Sequence, residues 1–264
     1  FLINQKYMDI YVKINLKIAI NVKWKYILEV VDYRRVKTVK RVAAIYDIHG
    51  NYSALNAVLE EIQQSDADAI VVGGDLAWGP QPALVMERIM ALEENIFIIK
   101  GNADREVGER HGIEKGIDKW VADINHWCSD QLTDAQIEFL NKLQDNITLK
   151  IDGLGDVLFV HGSPRSDEEA IRQDTPKNEI KPMIETVNQD IIVCGHTHVQ
   201  FDRSVYDKRI INAGSVGLPS AASGACWVML GPEVDLRETE YDYEFAANQI
   251  RHMKDPDIFN LSYK

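Results

Sequence analysis

The sequence predicts an α/β fold in which two sheets pack face to face with helices outside. Three observations carry that expectation. Residues 42–130 alternate short apolar runs with helical segments in a β-α-β-α-β order, which implies parallel strands and right-handed crossovers. Residues 147–240 read mostly as strands. No long Ser- or Gly-rich linker, internal repeat or low-complexity tract separates the two parts, so a single domain over residues 41–264 accommodates both.

In chain order, residues 1–40 form a basic extension without Gly, Pro or Ser. Between Val12 and Trp24 apolar residues alternate strictly, with Lys and Asn filling most of the gaps, which reads as one long amphipathic strand. A lone strand cannot bury its apolar face, so it must join a sheet or pair with another chain, a route to a homo-oligomer. The body then begins with a buried strand at 42–46, a helix at 53–64, a strand at 69–72, a helix at 82–93 and a strand at 96–99. Helices are expected at 117–129 and 134–142. Strands follow at 147–151, 156–160, 191–194, 201–206, 209–211, 226–230 and 233–240.

The 264 residues are 45% apolar and 27% charged, the balance of a soluble globular chain rather than a disordered one. The net charge of −12 is unevenly spread: residues 1–41 hold ten Lys/Arg against three Asp/Glu, and the rest nineteen against thirty-eight. An acidic body repels polyanions, so nucleic acid is a poor first expectation as a partner. No run approaches eighteen apolar residues, so no membrane span is expected. Lys13, Lys17, Lys23 and Lys25 break every stretch long enough for a signal peptide, and the Lys-rich, Ser-free extension is a poor mitochondrial presequence. Cys128, Cys194 and Cys226 are odd in number and scattered, which reads as buried thiols in a reducing, cytoplasmic compartment.

The polar residues that carry chemistry sit just after strands, where α/β proteins place their sites. Asp47, His49, Gly50 and Asn51 follow the first strand, and Gly73, Gly74 and Asp75 the second. Gly101, Asn102, Asp104 and Arg105 follow the third; His161 and Gly162 follow a later one, and His196 and His198 another. Each alone reads as a cap or a satisfied polar group, as His111, His126 and His252 do. Five coincident strand ends holding four of the seven histidines do not. Residues at i and i+2 of an extended segment point the same way, so Asp47 with His49, and His196 with His198, can each chelate one ion. Carboxylates mixed with imidazoles suit divalent transition metals, Mn first, then Fe, Zn, Ni or Co. Seven ligands exceed one tetrahedral site and fit two ions sharing a carboxylate, the arrangement that serves in-line displacement at phosphorus.

The ordered blocks D-x-H, G-D, G-N, H-G and G-H-x-H resemble the calcineurin-like metallophosphoesterase superfamily over about residues 40–245. HGSPRSDEEA from His161 and NAGSVGLP from Asn212 are similar to segments of its small bacterial and archaeal phosphodiesterase branch. GDLAWGP from Gly74 lacks the GDxxDRG of the protein-phosphatase branch. The resemblance implies a four-layered α/β/β/α sandwich of two mixed sheets. It implies that Asp47, His49 and His198 hold one metal, Asn102, His161 and His196 a second, and Asp75 both. It further implies that a hydroxide between the ions attacks a small phosphoester, with Asn51 and Asp104 as orienting or substrate-side groups. Many relatives place His after the GN asparagine to protonate the leaving oxygen; Ala103 cannot, so good leaving groups are expected to be preferred. A non-catalytic scaffold of the same fold and a nuclease are the competing expectations.

Overall fold

The computed structural model describes residues 38–92 and 95–253; the strand expected at 12–24, with the oligomer it would form, lies outside them. Among the described residues ten strands make two five-stranded mixed sheets. In the first sheet β1 (Val42–Ile45), β2 (Ala69–Val72) and β3 (Ile96–Ile98) run parallel. β9 (Ala225–Leu230) pairs antiparallel with β1, and β10 (Val234–Thr239) closes that edge, giving the order β10-β9-β1-β2-β3. The second sheet comprises β4 (Asn146–Ile151), β5 (Gly155–Val160), β6 (Ile191–Cys194), β7 (Phe201–Val205) and β8 (Lys208–Asn212). Its order is β4-β5-β6-β8-β7, with β5, β6 and β8 parallel and an antiparallel strand at each edge.

The period of two in each strand sorts its side chains between two cores. Val42, Ala44 and Tyr46 meet Val157, Phe159, Val193 and Ile211 between the sheets. Ala43 and Ile45 face the helices instead, so β1 is buried on both faces and reads as a continuous apolar run. α1 (Tyr52–Gln64) covers that outer face with Leu55, Val58, Leu59 and Ile62, the spacing of one helical stripe. Asn51 caps it by accepting from Ala54 N at 3.1 Å, and Ser65 ends it by donating to Ile62 O at 2.6 Å. α2 (Pro82–Met90), α3 (Asn102–Gly108), α4 (Lys119–Gln131) and α5 (Asp134–Lys142) complete this side. α6 (Lys177–Ile184) lays Ile180 and Ile184 on Leu158, Val160 and Ile192, the outer face of the second sheet. α7 (Tyr243–Arg251) follows β10. The layers are therefore α/β/β/α, as the sequence implies.

Three helices escape the periodicity. α3 has only seven residues, α6 carries Pro182 inside it, and α7 buries only Ala246. Each gives too short or too interrupted an apolar stripe to stand out. The helix expected at 117–129 runs Lys119–Gln131, and the one expected at 82–93 ends at Met90.

All three cysteines are buried and unpaired. Burial pushes the thiols of Cys128 and Cys194 up to about 12 and that of Cys226 up to about 11. Thiolate is therefore scarce in the native protein at pH 8. Thiol titration with a chromogenic disulfide reagent should find essentially none reactive when native and three after urea unfolding. One fast-reacting native thiol would contradict this packing.

Candidate metal centre

The parallel strands of both sheets deliver their last residues to one seam. Asp47 and His49 leave β1, Asp75 leaves β2 through Gly73 and Gly74, and Asn102 opens α3 just after β3. From the second sheet His161 leaves β5, and His196 and His198 leave β6. Possible ligand atoms gather there in two groups, Asp47, His49 and His198 in one and Asp75, His161 and His196 in the other, each within 4.8 Å. Asn102 joins the second group, its Oδ1 3.2 Å from His161 Nε2. All seven residues singled out in the sequence thus meet at one place.

The way they meet differs from the extended geometry expected of the i, i+2 pairs. Asp47, His49, Asp75, His196 and His198 all lie in the left-handed region, at φ 53°, 47°, 56°, 64° and 59°. Such residues are a few per cent of non-glycine positions, so five in one site is a concentration of backbone strain. At Asp47, His49 and Asp75 the chain tolerates it because the β1–β2 ladder continues beyond the strands. Asp47 N donates to Gly74 O at 3.1 Å, His49 N to Asp75 O at 2.9 Å and Gly50 N to Leu76 O at 3.0 Å. These bonds pin two turns against each other, and the turns aim the side chains.

The imidazoles are held as one-sided ligands. His49 Nδ1 lies 3.1 Å from the Trp78 carbonyl and His161 Nδ1 2.9 Å from that of Gly73. A carbonyl only accepts, so each Nδ1 carries a proton and each Nε2 is turned toward the seam. His49 Nε2 and His198 Nε2 are only 3.0 Å apart. Asp75 sits between the groups: Oδ1 accepts from Ala103 N at 2.9 Å, while Oδ2 is 3.6 Å from His49 Nε2 and 3.3 Å from His161 Nε2. Asp47 Oδ2 accepts from His196 N at 2.9 Å. Asp47 Oδ1 is buried with no hydrogen-bond partner, facing His198 Nε2 at 3.5 Å and His49 and His161 Nε2 at 3.9 Å. A buried carboxylate oxygen without a hydrogen bond, ringed by imidazole nitrogens, is the kind of site that a cation completes. The donor set therefore fits divalent metal ions.

The charges answer one another. Burial favours the neutral forms, but the charge and hydrogen bond of Asp75, then the charge of Asp47, push His161 up to about 10. Burial likewise opposes ionisation of Asp75, yet His161 and then His49 hold it below the usual carboxylate range. Burial lowers His49 and His196, the latter also through the His161 charge.

Asn51 and Asp104 spend their hydrogen bonds on the framework. Asn51 caps α1 and donates to Gly217 O at 3.1 Å and to Tyr241 Oη at 3.2 Å. Asp104 is fully buried and accepts from Asp75 N and Leu76 N, both at 2.8 Å, and from Gly101 N at 3.0 Å. Burial and then the Asp75 charge push it up to about 7, against the bonds from Gly101 and Leu76. Two supports were not singled out in the sequence. Asn212 donates to Gly195 O at 2.6 Å and to Thr197 Oγ1 at 3.0 Å, holding the turn that bears His196 and His198. Ser215 Oγ donates to Asp47 O at 2.7 Å. Their signal was the NAGSVGLP segment itself, polar and glycine-punctuated straight after a strand.

The chain matches the calcineurin-like phosphoesterase superfamily domain over residues 41–233. It is 29% identical over 231 residues to an uncharacterised protein of Methanocaldococcus jannaschii, covering 79% of this chain and 91% of that one. It is 26% identical over 198 residues to the phosphodiesterase YfcE of Escherichia coli K12, covering 71% and 85%. Among solved structures, a metallophosphoesterase of Sphaerobacter thermophilus superposes with a TM-score of 0.65 at 26% identity, covering 85% and 99%. A hypothetical protein of Pyrococcus horikoshii shares the fold, with a TM-score of 0.72 at 22% identity, covering 83% and 96%.

Asp104→Ala would strand three buried N–H donors, each costing about 1–3 kcal/mol. Urea unfolding should show a loss of at least about 3 kcal/mol for Asp104→Ala and a smaller one for Asp104→Asn, which keeps an acceptor. A loss under about 1 kcal/mol would mean water replaces the carboxylate.

Proposed function

The chain belongs to the calcineurin-like phosphoesterase superfamily, and from that premise we propose that it hydrolyses a phosphodiester on a small, nucleotide-like substrate with two divalent metal ions. One observation carries the reading: Asp75 stands between two ligand groups, with a single oxygen near an imidazole of each. Asp47, His49 and His198 would hold one ion, Asn102, His161 and His196 the other, and Asp75 both. Mn is the first candidate, ahead of Fe, Zn, Ni and Co. When bound, the pair supplies a Lewis acid for the phosphoryl oxygens and acidifies a water molecule. The acidic body is compatible with an anionic substrate, because bound cations set the local charge.

The chain's own groups narrow the substrate. Ala103 follows Asn102 and offers no proton to a leaving oxygen, which favours good leaving groups. Arg105, the first arginine beyond Asn102, is bonded to Asp167 and Glu168 rather than free for a monoester dianion. Trp78 meets His49 edge-on at 5.7 Å and in turn meets the half-exposed Trp120 at 6.3 Å. That aromatic pair beside the first ligand group supports a substrate bearing a planar group such as a nucleobase. The phosphodiesterase YfcE among the relatives supports diester over monoester chemistry. Three buried, unpaired thiols support a reducing, cytoplasmic setting. A domain boundary near residue 41 is supported by the start of the family match there.

The test is a matrix of metals against substrates on untagged protein. With its preferred metal the chain should cleave bis-p-nitrophenyl phosphate at least about tenfold faster than p-nitrophenyl phosphate. No hydrolysis with any metal would overturn the reading and leave a scaffold. Ala103→His tests the missing acid: it should raise turnover of alkyl-leaving diesters by up to about 10²–10⁴-fold and leave p-nitrophenyl esters nearly unchanged. No gain with alkyl esters would mean that another group already supplies the proton.

A further inference from the structure

We infer that Arg105 is a positioning residue of the second ligand group: its ion-pair fork ties the helix that begins at Asn102 to the loop that follows His161, and so helps to set how those two candidate ligands meet. The inference rests on the two-ion reading above. Asn102 and His161 come from different sheets, and their side chains approach to 3.2 Å at the seam. Arg105 lies three residues beyond Asn102 on α3, less than one helical turn. Its Nε donates to Asp167 Oδ2 at 2.8 Å, and its Nη2 donates to Asp167 Oδ1 at 3.3 Å and to Glu168 Oε1 at 2.7 Å. A two-toothed pairing of this kind fixes orientation as well as distance, which a point charge would not.

The loop on the other side of the pair is stiff enough to pass the constraint back to His161. Ser163 Oγ donates to Glu169 Oε2 at 2.6 Å, and Arg165 Nε to the same oxygen at 2.8 Å. Arg165 Nη1 also reaches the Pro182 carbonyl of α6 at 3.2 Å. The loop folds back so closely over Gly162 that an added Cβ would stand 2.8 Å from the carbonyl oxygens of Ser166 and Asp167. A displacement at Asp167 therefore reaches Gly162, next to the ligand. Apolar packing does not do this work instead, because a cavity of about 350 Å³ bordered by Arg105, Asp145, Asn146, Pro164 and Asp167 lies beside the pair. The first group has separate supports, the Trp78 carbonyl behind His49 and Ser215 behind Asp47. Loss of the fork should therefore fall on one ion and spare the other.

The experiment is Mn²⁺ titration of the metal-free full chain by calorimetry, with a thermal melt of each variant. Wild type should take up two ions. Arg105→Ala should weaken one of them by about 10–100-fold, the usual range for groups that orient ligands, and leave the other within about twofold. Asp167→Asn, a milder change should the alanine variant fold poorly, should weaken the same site. Arg105→Lys, which keeps the charge and loses the fork, should fall between. The melting temperature should move little, since partly exposed ion pairs contribute little to stability. Two unchanged sites in both Arg105→Ala and Asp167→Asn would overturn the inference and leave the two-ion reading standing. Equal weakening of both sites with a lower melting temperature would also overturn it, by showing a general structural role. A wild-type chain that holds fewer than two ions would overturn the two-ion reading itself.

Discussion

The Asp47 carboxylate organises this protein more than any other group. It lies fully buried where two sheets meet, with one oxygen bonded to the His196 backbone and the other bonded to nothing. Three imidazole nitrogens stand 3.5–3.9 Å from that oxygen without a hydrogen bond to it, and together they make a receptacle suited to a cation. Asp75 and Asp104 lie nearby, and burial, then the Asp75 charge, pushes Asp104 up. Four imidazoles, His49, His161, His196 and His198, gather around these carboxylates in the two candidate ligand groups.

That receptacle determines what the backbone has to do. Short side chains reach a common point only if the turns that carry them are unusually tight, hence five candidate ligands in the left-handed region. Tight turns in turn require close approach by their neighbours. Gly195 passes so near Asp47 that a Cβ would stand 2.5 Å from Oδ2, and Gly101 so near Asp75 that one would stand 2.2 Å from Oδ1. The segment 212–217 then clamps the arrangement from the second sheet. Val216 N donates to Tyr46 O at 2.9 Å and Gly217 N to Asp47 O at 3.0 Å. Tyr46, whose hydroxyl donates to Val193 O at 3.2 Å, joins the same two sheets through the core. Site strain is thus offset by a packed, cross-bonded interior.

Much of this was legible in the chain because it is written locally. Continuous apolar runs such as VAAI and ACWVML announce strands buried on both faces, and polar residues beside glycine after five of the strands announce a site. The short helix α3 and the proline-bearing α6 were not legible, because their positions come from what they pack against rather than from their own periodicity. Asn51 could be read either as a cap or as a substrate-side group; its bond to Ala54 N is a cap, and its two side-chain donations go to Gly217 and Tyr241. The i, i+2 argument brings Asp47 and His49 into one group but fails for His196 and His198, which fall in different groups, since their left-handed turns and not the extended dipeptide set where the side chains go.

By itself the sequence determined the layer order, the seven candidate ligands and the acidic character of the body, because hydrophobic period and residue type act over a few positions. Only the tertiary structure decided which oxygen is left without a hydrogen bond, that His196 and His198 part to different groups despite their i, i+2 spacing, and that Arg105 links α3 to the loop after His161. Those are distances between segments far apart in the chain, Arg105 and Asp167 being 62 residues apart, and no local pattern encodes them. They follow from the packing of two sheets whose strand ends meet at one seam.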